Sequence, residues 1–293
     1  MKRAWDTDRR FYLFNNILLS LFLITVLIPV IYVIAASFSD SAAVVSGKVF
    51  LWPVEPTLAG YEGVFRKPDV VTGFLNSAMY LIIEGIIGVT MTILAAFPLS
   101  IRHLPGRKIV TIYFTFTMLF NGGLIPTFLL ISDIGLYNTI WAITLPGALT
   151  VMNVILMRAN FQSNIPDELY EAASIDGCGV FRYLLQFVIP LSGAIIAIIA
   201  LYVCVGSWNA WYNAMVYVKD QELFPLQLIL RNILIMNQVD YSMMTPEEIT
   251  RAQEMQDLLK YSLIVVSTTP MMCIYPFIQK YFVKGLMAGA VKG

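Results

Sequence analysis

Apolar residues run along this chain in long blocks, and the charges gather in the gaps between them. The first block, Ile17 to Phe38, is long enough to cross about 30 Å of hydrocarbon as a helix. Further blocks fall at Asn76–Ile101, Ile109–Ile131, Tyr137–Met157, Leu191–Tyr217 and Tyr261–Phe282. The pattern therefore predicts an all-α membrane protein with six transmembrane helices. Met1 to Arg10 is a charged arm, and together with the first block it imitates a secretory leader. The block is longer than the ~7–15 apolar residues of a leader core, so it reads as an uncleaved first helix. Ser39 to Phe74 reads as a mixed polar loop punctuated by Pro53, Pro56 and Pro68. The expected organisation is an N-terminal arm over residues 1–12 and one transmembrane domain over 13–293.

Two polar stretches interrupt the apolar blocks in ways that simple loops do not. The first covers about 162–190. Asn164 suits a helix cap, Pro166 a first turn, and Asp167 and Glu168 the positive end of a helix dipole. A short helix over Glu168–Asp176 is expected, broken by Gly177 and Gly179. A second, Val180–Phe187, should end before Pro190. The other stretch covers about 219–260. There Pro225 opens an apolar segment, Leu226–Met236, too short to span and expected at the interface or under a partner. Thr245-Pro246-Glu247-Glu248 has the form of a capping box that starts a helix running into the sixth span.

Composition narrows the function classes. The chain is 58% hydrophobic and 13% charged, with a mean hydropathy of +0.73, which fits a polytopic membrane protein. Its 19 basic and 19 acidic residues balance to zero, which argues against a nucleic-acid partner. Cys178, Cys204 and Cys273 have no CxxC spacing, so neither a disulfide framework nor a zinc site is indicated. His103 is the lone histidine, in a basic loop, and reads as a solvated residue. No GxxxxGK[ST] occurs, and Gly177-x-Gly179 lacks the lysine and the preceding strand of a phosphate loop. The chain is thus not expected to hydrolyse ATP or to be an enzyme, and no metal or cofactor is expected in it.

Basic residues suggest an orientation. Lys2, Arg3, Arg9, Arg10, Arg102, Arg107, Lys108, Arg158, Arg182, Lys280, Lys284 and Lys292 fall on one side of the six-span scheme. The other seven basic residues fall opposite, and the excess is densest in short loops. Both termini and the 162–190 stretch are therefore expected in the cytoplasm.

Three intramembrane features carry candidate chemistry. Glu84 lies within the second apolar block, where a charge is costly; it reads as a packing contact to a polar group or as a pathway residue. No second intramembrane charge is available for a relay, which weighs against a proton-driven carrier, and no internal repeat supports an ion-coupled one. Gly193, Ala197, Ala200 and Cys204 share a face suited to close helix approach, within one subunit or across a dimer. Trp208, Asn209, Trp211, Tyr212 and Asn213 form an amphipathic cluster. Trp211 and Tyr212 suit an interfacial belt, and Trp208, Asn209 and Glu84 are weak candidates for a substrate cavity.

The pattern Glu171-Ala172-Ala173, three residues, Gly177, nine residues, then Phe187-Val188-Ile189-Pro190 resembles the EAA loop of ABC importer permeases. Phe187 stands where that family usually has isoleucine. Asn121-Gly122-Gly123-Leu124-Ile125-Pro126, Trp208-Asn209-x-Trp211 and the tail Lys284-Gly285-Leu286…Gly289-Ala290-Val291-Lys292-Gly293 are similar to the MalG-like carbohydrate permeases. The chain looks closest to a subgroup that includes the smaller permease of the alginate importer. The resemblance implies a type I ABC importer permease fold whose cytoplasmic EAA helix couples to an ATPase subunit through Glu171, Ala172, Ala173, Asp176, Gly177 and Pro190. Ala172 and Ala173 are expected to share a small outward face. It further implies a homologous second permease, two ATPase subunits holding ATP and Mg, and an external solute-binding protein. Asn237, Gln238, Asp240 and Tyr241 would meet the binding protein. Gly289, Lys292 and Gly293 of the tail, 283–293, would enter the ATPase interface. A sugar importer is the leading reading, with a non-sugar ABC permease the nearest alternative.

Overall fold

A computed structural model describes residues 2–236 and 259–276, and all the regular structure among them is helical. Two compact units divide the chain, one of residues 1–68 and 230–269, the other of 69–229 and 270–293.

In the first unit, α1 (Lys2–Ser37) runs unbroken through the expected arm and first span, carrying Pro29 inside it. From Phe11 to Ile31 its large side chains stand exposed, as a helix surrounded by lipid requires. Only its last turn is covered. Ala35 and Ala36 pack with Ala43, Val44 and Val49, and Asp40 caps α2 (Ser41–Val45) by accepting from Ala42 N at 2.9 Å. The expected loop thus contains two short helices, α2 and α3 (Ala59–Phe65). Ser37 Oγ meets Tyr61 OH at 2.7 Å, and Ser262 Oγ, from the last described helix (259–276), donates to Ser37 O at 3.3 Å.

The second unit is built on α4 (Pro68–Ser100), which starts at Pro68 and so extends into the expected loop. Proline suits a first helical position, where its missing N–H costs nothing. Its glycines set the helix spacing. A Cβ on Gly88 would stand 2.5 Å from the Ala148 carbonyl oxygen, so only glycine lets those backbones approach this closely. Gly85 faces Cys204, and Gly73 faces Leu226 and Ile229.

The third expected span is two helices, α5 (Arg107–Leu119) and α6 (Leu124–Asp133), bent by 113°. At 1.5 Å per residue, α5 reaches only about 20 Å. Hydropathy does not register the break, because its cause is conformational. Gly123 has φ +89, and Asn121 Oδ1 accepts from Gly123 N at 2.8 Å. The fourth expected span is α7 (Ile140–Ala148) and α8 (Val151–Asn164), bent by 44°. Among the described residues, two helices are long and apolar enough to cross a membrane alone, and up to five crossings result if each bent pair is one span.

Within the segment Leu226–Met236, expected at the interface or under a partner, the stretch Leu226–Ile229 packs against the chain itself. It begins α14 (Leu226–Arg231) and is buried against α4, with Leu226 N donating to Ser77 Oγ at 2.9 Å. Asn76 and Tyr80, one turn apart on that face, donate to the carbonyls of Glu222, Phe224 and Leu223.

Candidate functional site

The polar interruption folds as α9 (Asp167–Ile175), α10 (Val180–Tyr183), a π-helical turn at Leu184–Val188 and α11 (Ile189–Leu191). Two boundary expectations are corrected. Asn164 closes α8 rather than capping α9, and Pro166 occupies the cap position without a side-chain bond. Pro190 does not stop the second helix. The chain stays helical to Leu191 and then turns by 84° into α12 (Gly193–Trp208). A π-turn already disrupts the ordinary bonding ladder ahead of Pro190, so its lost N–H matters less there.

The break after α9 is a Schellman cap. Gly177 has φ +74, its N–H donates to Ser174 O at 3.1 Å, and Cys178 N donates to Ala173 O at 2.9 Å. These bonds satisfy carbonyls that a helix end leaves open. Gly179, by contrast, has ordinary extended geometry, φ −69 and ψ 155.

The two faces of α9 differ. Leu169, Tyr170 and Ala173 turn inward onto a core of Phe97, Phe161, Tyr183 and Val188. Tyr183 is the hub. Its ring meets Tyr170 edge-on at 5.1 Å, Phe187 in a stack at 5.5 Å and Phe97 at 6.3 Å. Only 3% of the residue is exposed, and its hydroxyl has no hydrogen-bond partner among the described residues. Arg102 Nε pairs with Asp167 Oδ2 at 3.3 Å, which ties the first turn of α9 to the loop after α4. Between them lies a cavity of about 190 Å3, with Arg102, Gln162, Asp167, Tyr170 and Tyr183 in its wall.

Glu168, Glu171, Ala172 and Ile175 form the outward face, followed by Asp176. Ala173 is 7% exposed and belongs to the inner core, so the small outward face expected of Ala172 and Ala173 reduces to Ala172. Ile175 is 87% exposed, a large apolar side chain without cover at the tip of an acidic helix. Sequence reading passed over it, although its place four residues after Glu171 put it on the same face.

The weak cavity set is dispersed. Trp208 is buried, its ring edge-on to Phe74 at 5.5 Å. The Asn209 amide donates to Val205 O at 2.9 Å, capping its own helix. Glu84 is 7% exposed. Gly147 makes room for its carboxyl, since a Cβ there would stand 2.7 Å from Oε1. Ser207 stands beside that carboxyl without a hydrogen bond of good geometry. On α12 the deeply buried line is Ile199, Val203 and Ser207, adjacent to the small-residue stripe, of which Cys204 meets Gly85 while nothing lies against Gly193. Asn237, Gln238, Asp240 and Tyr241, the Thr245 capping box, and Gly289, Lys292 and Gly293 lie outside the described residues.

No family model matches the chain. It is 38% identical over 278 residues to the polygalacturonan/rhamnogalacturonan transport system permease protein YtcP of Bacillus subtilis, covering 94% of this chain and 96% of YtcP. It is 35% identical over 267 residues to protein LplC of the same organism, covering 91% of this chain and 90% of LplC. Its backbone matches a chain in the crystal structure of a bacterial ABC transporter involved in the import of the acidic polysaccharide alginate. The TM-score is 0.85 and the identity 32%, over 94% of this chain and 98% of that one. Identity of this order along nearly the whole length, with the same course of the backbone, makes the chain a member of the MalG-like carbohydrate ABC importer permeases.

Proposed function

We propose that the chain is one of two permease subunits in an ATP-driven, binding-protein-dependent importer that carries an acidic oligosaccharide by alternating access. The supporting observation is convergence on one substrate chemistry. A polygalacturonan/rhamnogalacturonan permease and an alginate transporter, both handling uronate polymers, resemble this chain along almost its full length. In this reading the bent helix pairs count as spans, Tyr261–Phe282 is added as the sixth, and both termini lie in the cytoplasm of a bacterium whose inner membrane holds the complex. Two ATPase subunits bind ATP and Mg, and α9 rests in a groove of one of them. Glu171, Ala172, Ile175 and Asp176 make the contact, and the inner face passes the movement of the ATPase to the spans. Asn237, Gln238, Asp240 and Tyr241 meet the binding protein; Gly289, Lys292 and Gly293 enter the ATPase interface.

The test is reconstitution of the full complex in proteoliposomes with its binding protein. Oligogalacturonate or oligomannuronate should stimulate ATP hydrolysis and accumulate inside, and a neutral malto-oligosaccharide should do neither. Stimulation by the neutral sugar alone would overturn the acidic substrate, and a response to no carbohydrate would overturn the oligosaccharide.

A further inference from the structure

A basic cavity lies apart from the exposed face of α9. The connection after α4 supplies Arg102, the first turn of α5 supplies Arg107 and Lys108, and α8 brings Arg158 to them from about fifty residues further along the chain. Together they border a cavity of about 590 Å3 that no aspartate or glutamate lines. Arg102 is committed to Asp167. Arg158 Nη1 donates to Thr111 Oγ1 at 3.4 Å, which holds the guanidinium against α5. Its Nε is enclosed and has no hydrogen-bond partner among the described residues, and Arg107 lies close enough to repel it. An enclosed donor without an acceptor, beside a like charge, is costly unless an anion completes the site.

Basic residues beside a span are common as an orientation signal. That signal accounts for Arg107 and Lys108, which open α5 just after a short loop. Arg158, on the same side, reaches the cavity from α8, and orientation alone does not require its guanidinium to meet the other cations. Apart from Gly106 and Thr111, the remaining wall is apolar. Leu104, Ile109 and Ile112 line it, and Ile109 and Ile112 are largely exposed on a helix that buries no residue of its own. Cations together with bare aliphatic surface in one cavity describe a receptor for an amphiphile.

We propose that this cavity binds the phosphate headgroup of an anionic membrane lipid. Arg107 and Arg158 offer planar donors to the phosphate oxygens and Lys108 a point charge. Leu104, Ile109 and Ile112 lie along the first carbons of the lipid chains. Free phosphate shares the headgroup chemistry, but would leave the apolar wall uncovered.

The experiment uses the intact importer complex in detergent, titrated with phosphatidylglycerol, phosphatidylcholine or inorganic phosphate and followed by native mass spectrometry. Wild type should retain phosphatidylglycerol in preference to phosphatidylcholine. Each basic residue near an anionic lipid is worth roughly fivefold in affinity. Lys108→Gln, at an exposed position, should therefore weaken phosphatidylglycerol about fivefold, and Lys108→Gln with Arg158→Gln about 25-fold. Ile112→Ser should weaken the lipid and leave phosphate binding unchanged. Equal retention of both lipids, or full phosphatidylglycerol affinity in Lys108→Gln, overturns the proposal. Displacement of the lipid by millimolar phosphate, with Ile112→Ser at wild-type affinity, would make this a free-anion site and overturn it as well.

Discussion

Gly177 and Gly179 stand two residues apart in the same loop, and substitutions at them should behave oppositely. Neither glycine has any atom within 4 Å of where a Cβ would sit, so steric crowding contributes nothing at either position. What differs is the backbone. Gly177 holds φ +74, where a Cβ costs about 1–2 kcal/mol, while Gly179 is extended and accepts any side chain. Gly177→Ala should therefore destabilise the turn by about 1–2 kcal/mol. Asparagine visits this region readily, so Gly177→Asn should cost less. Valine resists it most. If relaxing the strain also breaks one of the two capping bonds from Gly177 N and Cys178 N, another ~0.5–1.5 kcal/mol is lost. Gly177→Val then reaches about 2–4 kcal/mol, enough to lower the population of correctly posed α9 by roughly 30- to 1000-fold wherever that pose is only marginally favoured. The assay is ATP-driven uptake in proteoliposomes, paired with co-purification of the ATPase subunit. The expected order is wild type, Gly177→Asn, Gly177→Ala, Gly177→Val, with Gly179→Ala equal to wild type. If Gly179→Ala were as harmful as Gly177→Ala, or Gly177→Val harmless, the left-handed cap would not be what poses the helix.

Ala173→Asp places a carboxylate in the core beside Leu169 and Tyr183 at a cost of several kcal/mol; it should lower the melting temperature of the purified complex. Ala172→Asp, on the exposed face, should leave melting unchanged and reduce ATPase co-purification; equal effects of the two on melting would refute the two-faced assignment. Glu84→Gln keeps the shape of a side chain that fills the space left by Gly147 and should retain assembly and uptake, whereas Glu84→Ala opens a cavity and should lose about 2–5 kcal/mol. Loss of uptake in Glu84→Gln at an unchanged melting temperature would instead make the carboxylate a pathway residue. A topology reporter fused after Arg107 or Arg182 should read cytoplasmic and one near Gln238 external; reversed signals would sink the proposed orientation.

The sequence disclosed the helices and where glycine breaks the loop, but not how each break bends the chain. Gly177 was legible because glycine is common just past helix ends and the EAA pattern placed one there. Gly122-Gly123 was read only as a family mark within an apolar block. A hydropathy window has no access to the positive φ that turns α5 from α6 by 113°. The cap assigned to Asn164 failed because tertiary contacts prolong α8. Gln162 Nε2 donates to Ser100 O, and Ile165 N still bonds Phe161 O. Leu226–Met236 was read as a segment at the interface or under a partner, and the contacts of its first turn with Gly73 and Ser77, about 150 residues earlier, were not foreseen. Such pairing is invisible to local pattern.

The inward turn of Ala173 changes what the EAA alanines mean physically. Two adjacent small residues look equivalent in sequence, but successive helical residues are about 100° apart and need not share a contact. Ala173 lets α9 lie close to its own core, and Ala172 leaves the outer surface low. With Leu169 and Tyr170 on the inner face, a push on the outer face has no slack to take up before it reaches Tyr183. Close-packed interiors transmit displacement in this way. From Tyr183 two routes lead on, through Phe97 to α4 and through Phe187 toward α11. The second ends at the 84° turn into α12, where Ser192 is buried with its hydroxyl unpartnered among the described residues. Backbone bonds brace that elbow, with Ser192 N donating to Val188 O and Ile189 O and Ile196 N to Ser192 O.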